Sequence, residues 1–170
     1  MIYTVECSYA DPDSVALWND FYRLEKLPAL ISVSGFHTSQ RFQALSDGCP
    51  TYLAIHTMDG LDILRGEECR RQGGGNFSGW QQHITDWRRN LHSDIGLAPT
   101  VKADELLALG LSPLSMHAVA LEKCPEHRWL ATLPREQAPL AGFLPEGVFF
   151  YAPMAEQLRS TAVTQAAQVR

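Results

Sequence analysis

A tight turn between two strand-like runs constrains this chain most. The segment Leu45-Ser46-Asp47-Gly48-Cys49-Pro50 is dense in turn formers, with Asp-Gly at its centre. Phe36 to Ala44 reads as a strand before it, and Thr51 to Thr57 as a strand after it. A regular hairpin centred on Asp47-Gly48 sets Arg41 opposite Ala54, Ser39 opposite His56 and Gln43 opposite Tyr52. Because side chains alternate along a strand, the hairpin then sorts into two faces. Phe36, Phe42, Leu53 and Ile55 form an apolar face suited to packing on helices. His37, Ser39, Arg41, Gln43, Tyr52, Ala54 and His56 form the other.

The rest of the chain extends this unit. Ile2 to Ser8 is a first strand, with Thr4 and Glu6 on the polar side if Tyr3 and Val5 pack on helices. Asp13 or Ser14 caps a helix whose apolar positions recur at Leu17, Phe21 and Leu24, with Trp18 and Tyr22 alongside. Pro28 is expected to bend or end it. Helical signals resume near Asp59 and fade into the mobile-looking loop Gly73-Gly74-Gly75. Trp80, Ile84, Trp87 and Leu91 fall at helical spacing, predicting a helix over 79–91, and Asp104 to Leu109 predicts a short helix. Strand signals follow at Met116–Glu122, Arg128–Leu133 and Gly147–Ala152, and Pro153 is expected to start a last helix, 154 to about 164. The order predicts an α+β fold, a ferredoxin-like βαββαβ sandwich over 1–111 with a C-terminal β-rich extension over 112–170. No internal repeat is strong, although the tail has the look of a decayed second copy.

Composition narrows the classes. Of 170 residues, 45% are apolar and 19% charged, which excludes a disordered or charge-driven scaffold. The net charge of −5 argues against nucleic acid or an acidic membrane as partner. No apolar window is long enough for a membrane span, and the N-terminus has no basic start or long apolar run. A cytoplasmic protein is expected. Cys7, Cys49, Cys69 and Cys124 form no CxxC pair and read as structural thiols.

A family pattern runs through the first third of the chain. Asn19-Asp20-Phe21-Tyr22, Lys26-Leu27-Pro28, Val33-Ser34-Gly35-Phe36 and Arg41-Phe42 resemble the EthD-like branch of the dimeric α/β-barrel superfamily, and Tyr52-Leu53-Ala54-Ile55 resembles its next strand. The match covers about residues 1–60 well, 60–95 weakly and the tail not at all. Lys26 replaces the family's helix-end histidine, and Phe21 its tryptophan. The resemblance implies a homodimer whose two sheets face each other around a barrel; it implies no single activity.

In such a dimer the polar face lines an enclosed chamber. His56 and His37 are the expected acid/base pair, Glu6 tunes them, Arg41 anchors an anion and Tyr52 donates to a developing oxyanion. Trp80 is assigned to substrate binding, although Trp80 and Trp87 better suit a core, and nearby His83 suits a partly exposed helix position. His92, His117 and His127 show no metal-ligand spacing, and no HExxH, P-loop or Gly-x-Ser-x-Gly motif occurs. The triple glycine suits a lid, and Glu67-Glu68 with Arg70-Arg71 a solvated helix surface. The expected function is a cofactor-independent isomerase, lyase, decarboxylase or cyclase acting on a small apolar or aromatic acid or ketone, with no metal. A cofactor-free oxygenase and a non-catalytic ligand-binding or accessory protein are the alternatives.

Overall fold

A computed structural model describes residues 1–72, 77–92, 96–110, 119–121, 128–138 and 146–161. The first strand, β1 (Ile2–Tyr9), leads into α1 (Val15–Phe21), a π-helical stretch Tyr22–Lys26 and α2 (Leu27–Ile31). The hairpin follows as β2 (Phe36–Ala44) and β3 (Tyr52–Met58). Two short helices, α3 (Asp62–Arg65) and α4 (Glu67–Arg71), and a 3-10 stretch Ser78–His83 lead to β4 (Ile84–His92). Five further strands lie among the described residues: β5 (Glu105–Gly110), β6 (Val119–Leu121), β7 (Arg128–Pro134), β8 (Val148–Pro153) and β9 (Leu158–Arg159). The fold is α+β, with antiparallel pairing throughout the described ladders.

The sheet runs β4-β1-β3-β2-β8-β5-β7-β6, with β9 also on β2. Its first four strands stand in the order fourth, first, third, second, and the next four repeat that order. The second set begins at β5, so the expected division at residue 112 falls after its first strand. Along the sheet β7 lies five places from β1, yet Arg128 on β7 reaches Glu6 on β1 at 2.8 Å. The sheet must therefore curl until its second half covers one face of its first.

Three buried clusters result among the described residues, two of them on the faces of the first half. Trp18, Tyr22, Leu27 and Leu30 of the helices pack with Tyr3, Val5, Tyr52, Ala54 and Phe36 of the sheet. On the opposite face Ile2, Phe42, Leu53 and Ile55 meet Leu107, Leu109, Leu130 and Tyr151 of the second half. Of the apolar run Phe149-Phe150-Tyr151, the last two are buried and Phe149 is half-buried.

Several local expectations are corrected. The segment 84–92 is a strand, because its helical spacing comes from a bulge: Asp86 has φ 54° where the β1–β4 register shifts, so Ile84 and Trp87 reach one core three residues apart. Glu105–Gly110 is likewise a strand, apolar on both faces because both are buried: Leu106 and Ala108 join one cluster, Leu107 and Leu109 another. Residues 154–160 form no helix; they run along β2, where Gln40 donates to the Ala155 carbonyl and Met154 N–H to the Arg41 carbonyl. In the first helical region Leu17 and Leu24 are 62% and 59% exposed, and Trp18 and Tyr22 are the buried positions. The helix passes Pro28 by way of the π-helical stretch, since proline supplies no N–H to the preceding turn. The Gly73-Gly74-Gly75 loop, Cys124, His117 and His127 lie outside the described residues.

Candidate functional site

The hairpin register agrees with the sequence: Arg41 faces Ala54, Ser39 faces His56 and Gln43 faces Tyr52. Alternation holds for Phe42, Leu53 and Ile55 against Arg41, Tyr52, Ala54 and His56, but the polar side, not the apolar one, packs on the helices, and Phe36 and the first strand fall differently. Tyr3 pairs with His56, Val5 with Ala54 and Cys7 with Tyr52, so these residues share the helix side, whereas Glu6 pairs with Leu53 on the other. The register shift between Phe36 and Thr38 also brings Phe36 to the helix side, edge-on to His56 at 5.8 Å. The polar side of the hairpin is thus covered by helices, and the side bearing Glu6 by the second half of the same chain.

The residues selected from sequence fall into several places. His56 is fully buried, stacked on Tyr3 at 5.5 Å, with Nδ1 in a 2.8 Å hydrogen bond with Ser39 Oγ. Arg41 and Tyr52 stand together, guanidinium carbon to ring centroid 4.3 Å. His37 lies near the surface against Asp59 at 2.5 Å. Glu6 accepts from Arg128 between the two halves, and Trp80 packs around Trp18, Phe21 and Tyr9. His56, His37 and Glu6 do not form one catalytic group.

One cavity brings titratable groups together. It holds about 50 Å³ of free space between the helix layer and the sheet. His56 and Tyr3 line it from the sheet, and Lys26, Tyr22, Cys69 and Phe77 from the helical side. Trp87 and the exposed Arg89 also line it, with the Arg89 charge acting on the Tyr3 phenol. Lys26 and Tyr22 are the buried residues of the π-helical stretch, a local form often found at functional positions.

Electrostatics distinguish these groups. Lys26 is 5% exposed, its ammonium 4.5 Å above the Phe77 ring, and burial brings its pKa down to about 8, partly opposed by the Cys69 thiol. Burial, then the Lys26 charge, lower His56 to about 3, so its ring is neutral in ordinary buffers. Its Nε2 has no hydrogen-bond partner among the described residues. Burial raises Tyr3, with Arg89 opposing, and also raises Tyr22 and Cys69, so both phenols remain proton donors. An amine poised near neutrality, a neutral imidazole and two phenols are suited to moving a proton beside a carbonyl.

Sequence reasoning treated Lys26 only as a departure from a family histidine. A lysine flanked by Leu27 and four residues after the buried aromatic Tyr22 was the available signal, since Tyr22–Lys26 spacing places both on one helical face. No group of three or more potential metal ligands occurs among the described residues, and none of their helices is long and apolar enough to cross a membrane. No protein-family model matches this chain, and comparison with curated proteins and with solved structures finds no significant match.

Proposed function

We propose that this protein is an acid/base enzyme of the isomerase, lyase, decarboxylase or cyclase type, acting in the cytoplasm on a small apolar or aromatic acid or ketone. The observation that carries the proposal is Lys26: a buried amine with its pKa near 8, sharing a cavity with His56, Tyr3 and Tyr22. In this reading the neutral amine takes a proton from carbon next to the substrate carbonyl. Tyr3 or Tyr22 donates to the developing enolate oxygen, and the resulting ammonium returns the proton elsewhere. The free space equals roughly two waters, so the reacting end enters while the body of the substrate lies toward Trp87 and Arg89. His56, held by Ser39, orients the carbonyl as a neutral group.

The repeated strand order, with helices joining β1 to β2 and β3 to β4, supports a ferredoxin-like plan. The contact expected between two barrel subunits is then made within one chain.

Hydrogen–deuterium exchange at the acidic carbons of small aromatic ketones and β-keto acids, followed by NMR, tests the proposal. The wild type is expected to accelerate exchange of at least one, and Lys26→Met to lose at least a hundredfold while remaining folded. Equal rates in both would refute the assignment. Retention of a ligand without exchange would identify a binding protein instead, and oxygen uptake an oxygenase.

A further inference from the structure

We propose a second site, in which Arg41 anchors the carboxylate of a small hydroxy acid in a cavity of about 120 Å³ between the helix layer and the C-terminal segment. Arg41 is 3% exposed, and no described carboxylate pairs with it. A buried guanidinium is costly unless its charge and its N–H groups are met. Three aromatic rings border it: the Tyr22 and Tyr52 centroids lie 4.2 and 4.3 Å from the guanidinium carbon, and that of Trp18 at 5.6 Å. Its N–H groups are not all met, because buried Nη2 has no hydrogen-bond partner among the described residues. A carboxylate meets a guanidinium in its plane, accepting from its N–H groups.

The cavity matches this chemistry. Asn19 also lines it; its Nδ2 donates to the Tyr52 hydroxyl at 3.2 Å, while its buried Oδ1 has no described partner and suits a ligand hydroxyl. Leu27, Met154 and Ala155 supply an apolar wall. Arg23 and Asp20 pair with each other at 3.1 Å, so the positive charge of Arg41 is left unbalanced at the site. The space is worth roughly four waters, which selects an acid of a few carbons. Tyr22 lines the Lys26 cavity and its ring borders Arg41, so the two sites adjoin. The second site does not depend on the acid/base reading.

Titration of the full chain with lactate, propionate and methyl lactate, followed by tryptophan fluorescence and amide NMR, tests it. Saturable binding is expected for both acids, at least threefold tighter for lactate, with none for the ester. Arg41→Met is expected to weaken binding at least tenfold. Ala155→Leu, which fills the cavity and leaves Arg41 in place, does the same and decides the matter if the first variant fails to fold. Lys26→Met is expected to bind lactate within twofold of wild type, so loss of catalysis and loss of this site are distinguishable. No saturable binding of either acid, ester binding equal to acid, or unchanged affinity in a folded Arg41→Met or in Ala155→Leu would overturn the proposal.

Discussion

Glu6 and Arg128, 122 residues apart in sequence, meet at 2.8 Å with both side chains largely buried. This ion pair joins the first strand to the second half of the sheet, and Asn90 Nδ2 donates to the same carboxylate oxygen at 3.5 Å. Removing one partner leaves a buried charge, which costs about 3 kcal/mol or more. Glu6→Gln and Arg128→Met should each destabilise by that order in urea unfolding, and the double variant by less than the sum. Additive losses would show that the two residues do not interact.

Lys26 should be a residue that costs stability. Its folded pKa, about 8, lies below its ordinary 10.5, so the unfolded chain binds the proton more tightly. Stability conferred at this position therefore rises with pH between about 8 and 10.5. Lys26→Met should raise the melting temperature at pH 7 and remove that rise. An unchanged melting temperature and pH slope would contradict the burial of a charged amine.

His56 titrates in the same sense at lower pH. Its pKa falls from 6.5 to about 3 on folding, so the unfolded chain takes up a proton that the folded chain refuses. Its contribution is lost as pH drops from 6.5 toward 3, with a limiting slope of about 1.4 kcal/mol per pH unit. His56→Asn should flatten the stability profile by up to that amount across the window. His92, lowered to about 4 by burial and by Arg128, supplies a parallel component that remains in this variant.

Removal of the second half should expose a core. Ile2, Phe42, Leu53 and Ile55 are covered there by Leu107, Leu109, Leu130 and Tyr151. A chain ending at residue 104 should aggregate or bind hydrophobic dyes, while the whole chain should run in light scattering with the mass of one copy. A well-behaved, non-binding fragment would show that this contact is dispensable.

Much was legible from residues close in sequence. A short Asp-Gly turn ties β2 to β3, so Arg41–Ala54 and Ser39–His56 followed from alternation and loop length. The pairing of β1 with β3 was not legible, because helices intervene and no tight turn sets that register. This is why Glu6 was placed beside His56 and lies on the opposite face. The strand at 84–92 was obscured for another local reason: a single bulge at Asp86 turned a period of two into a spacing of three.

The chain alone thus determined the hairpin strands and their register, which depend on side-chain alternation and turn chemistry within some twenty residues. Tertiary structure decided which face each strand buries, that the second half covers the first, and that Lys26 rather than His37 or Glu6 joins His56. Those outcomes depend on contacts between segments far apart in sequence, where burial is shared among many residues and no local pattern records the partner.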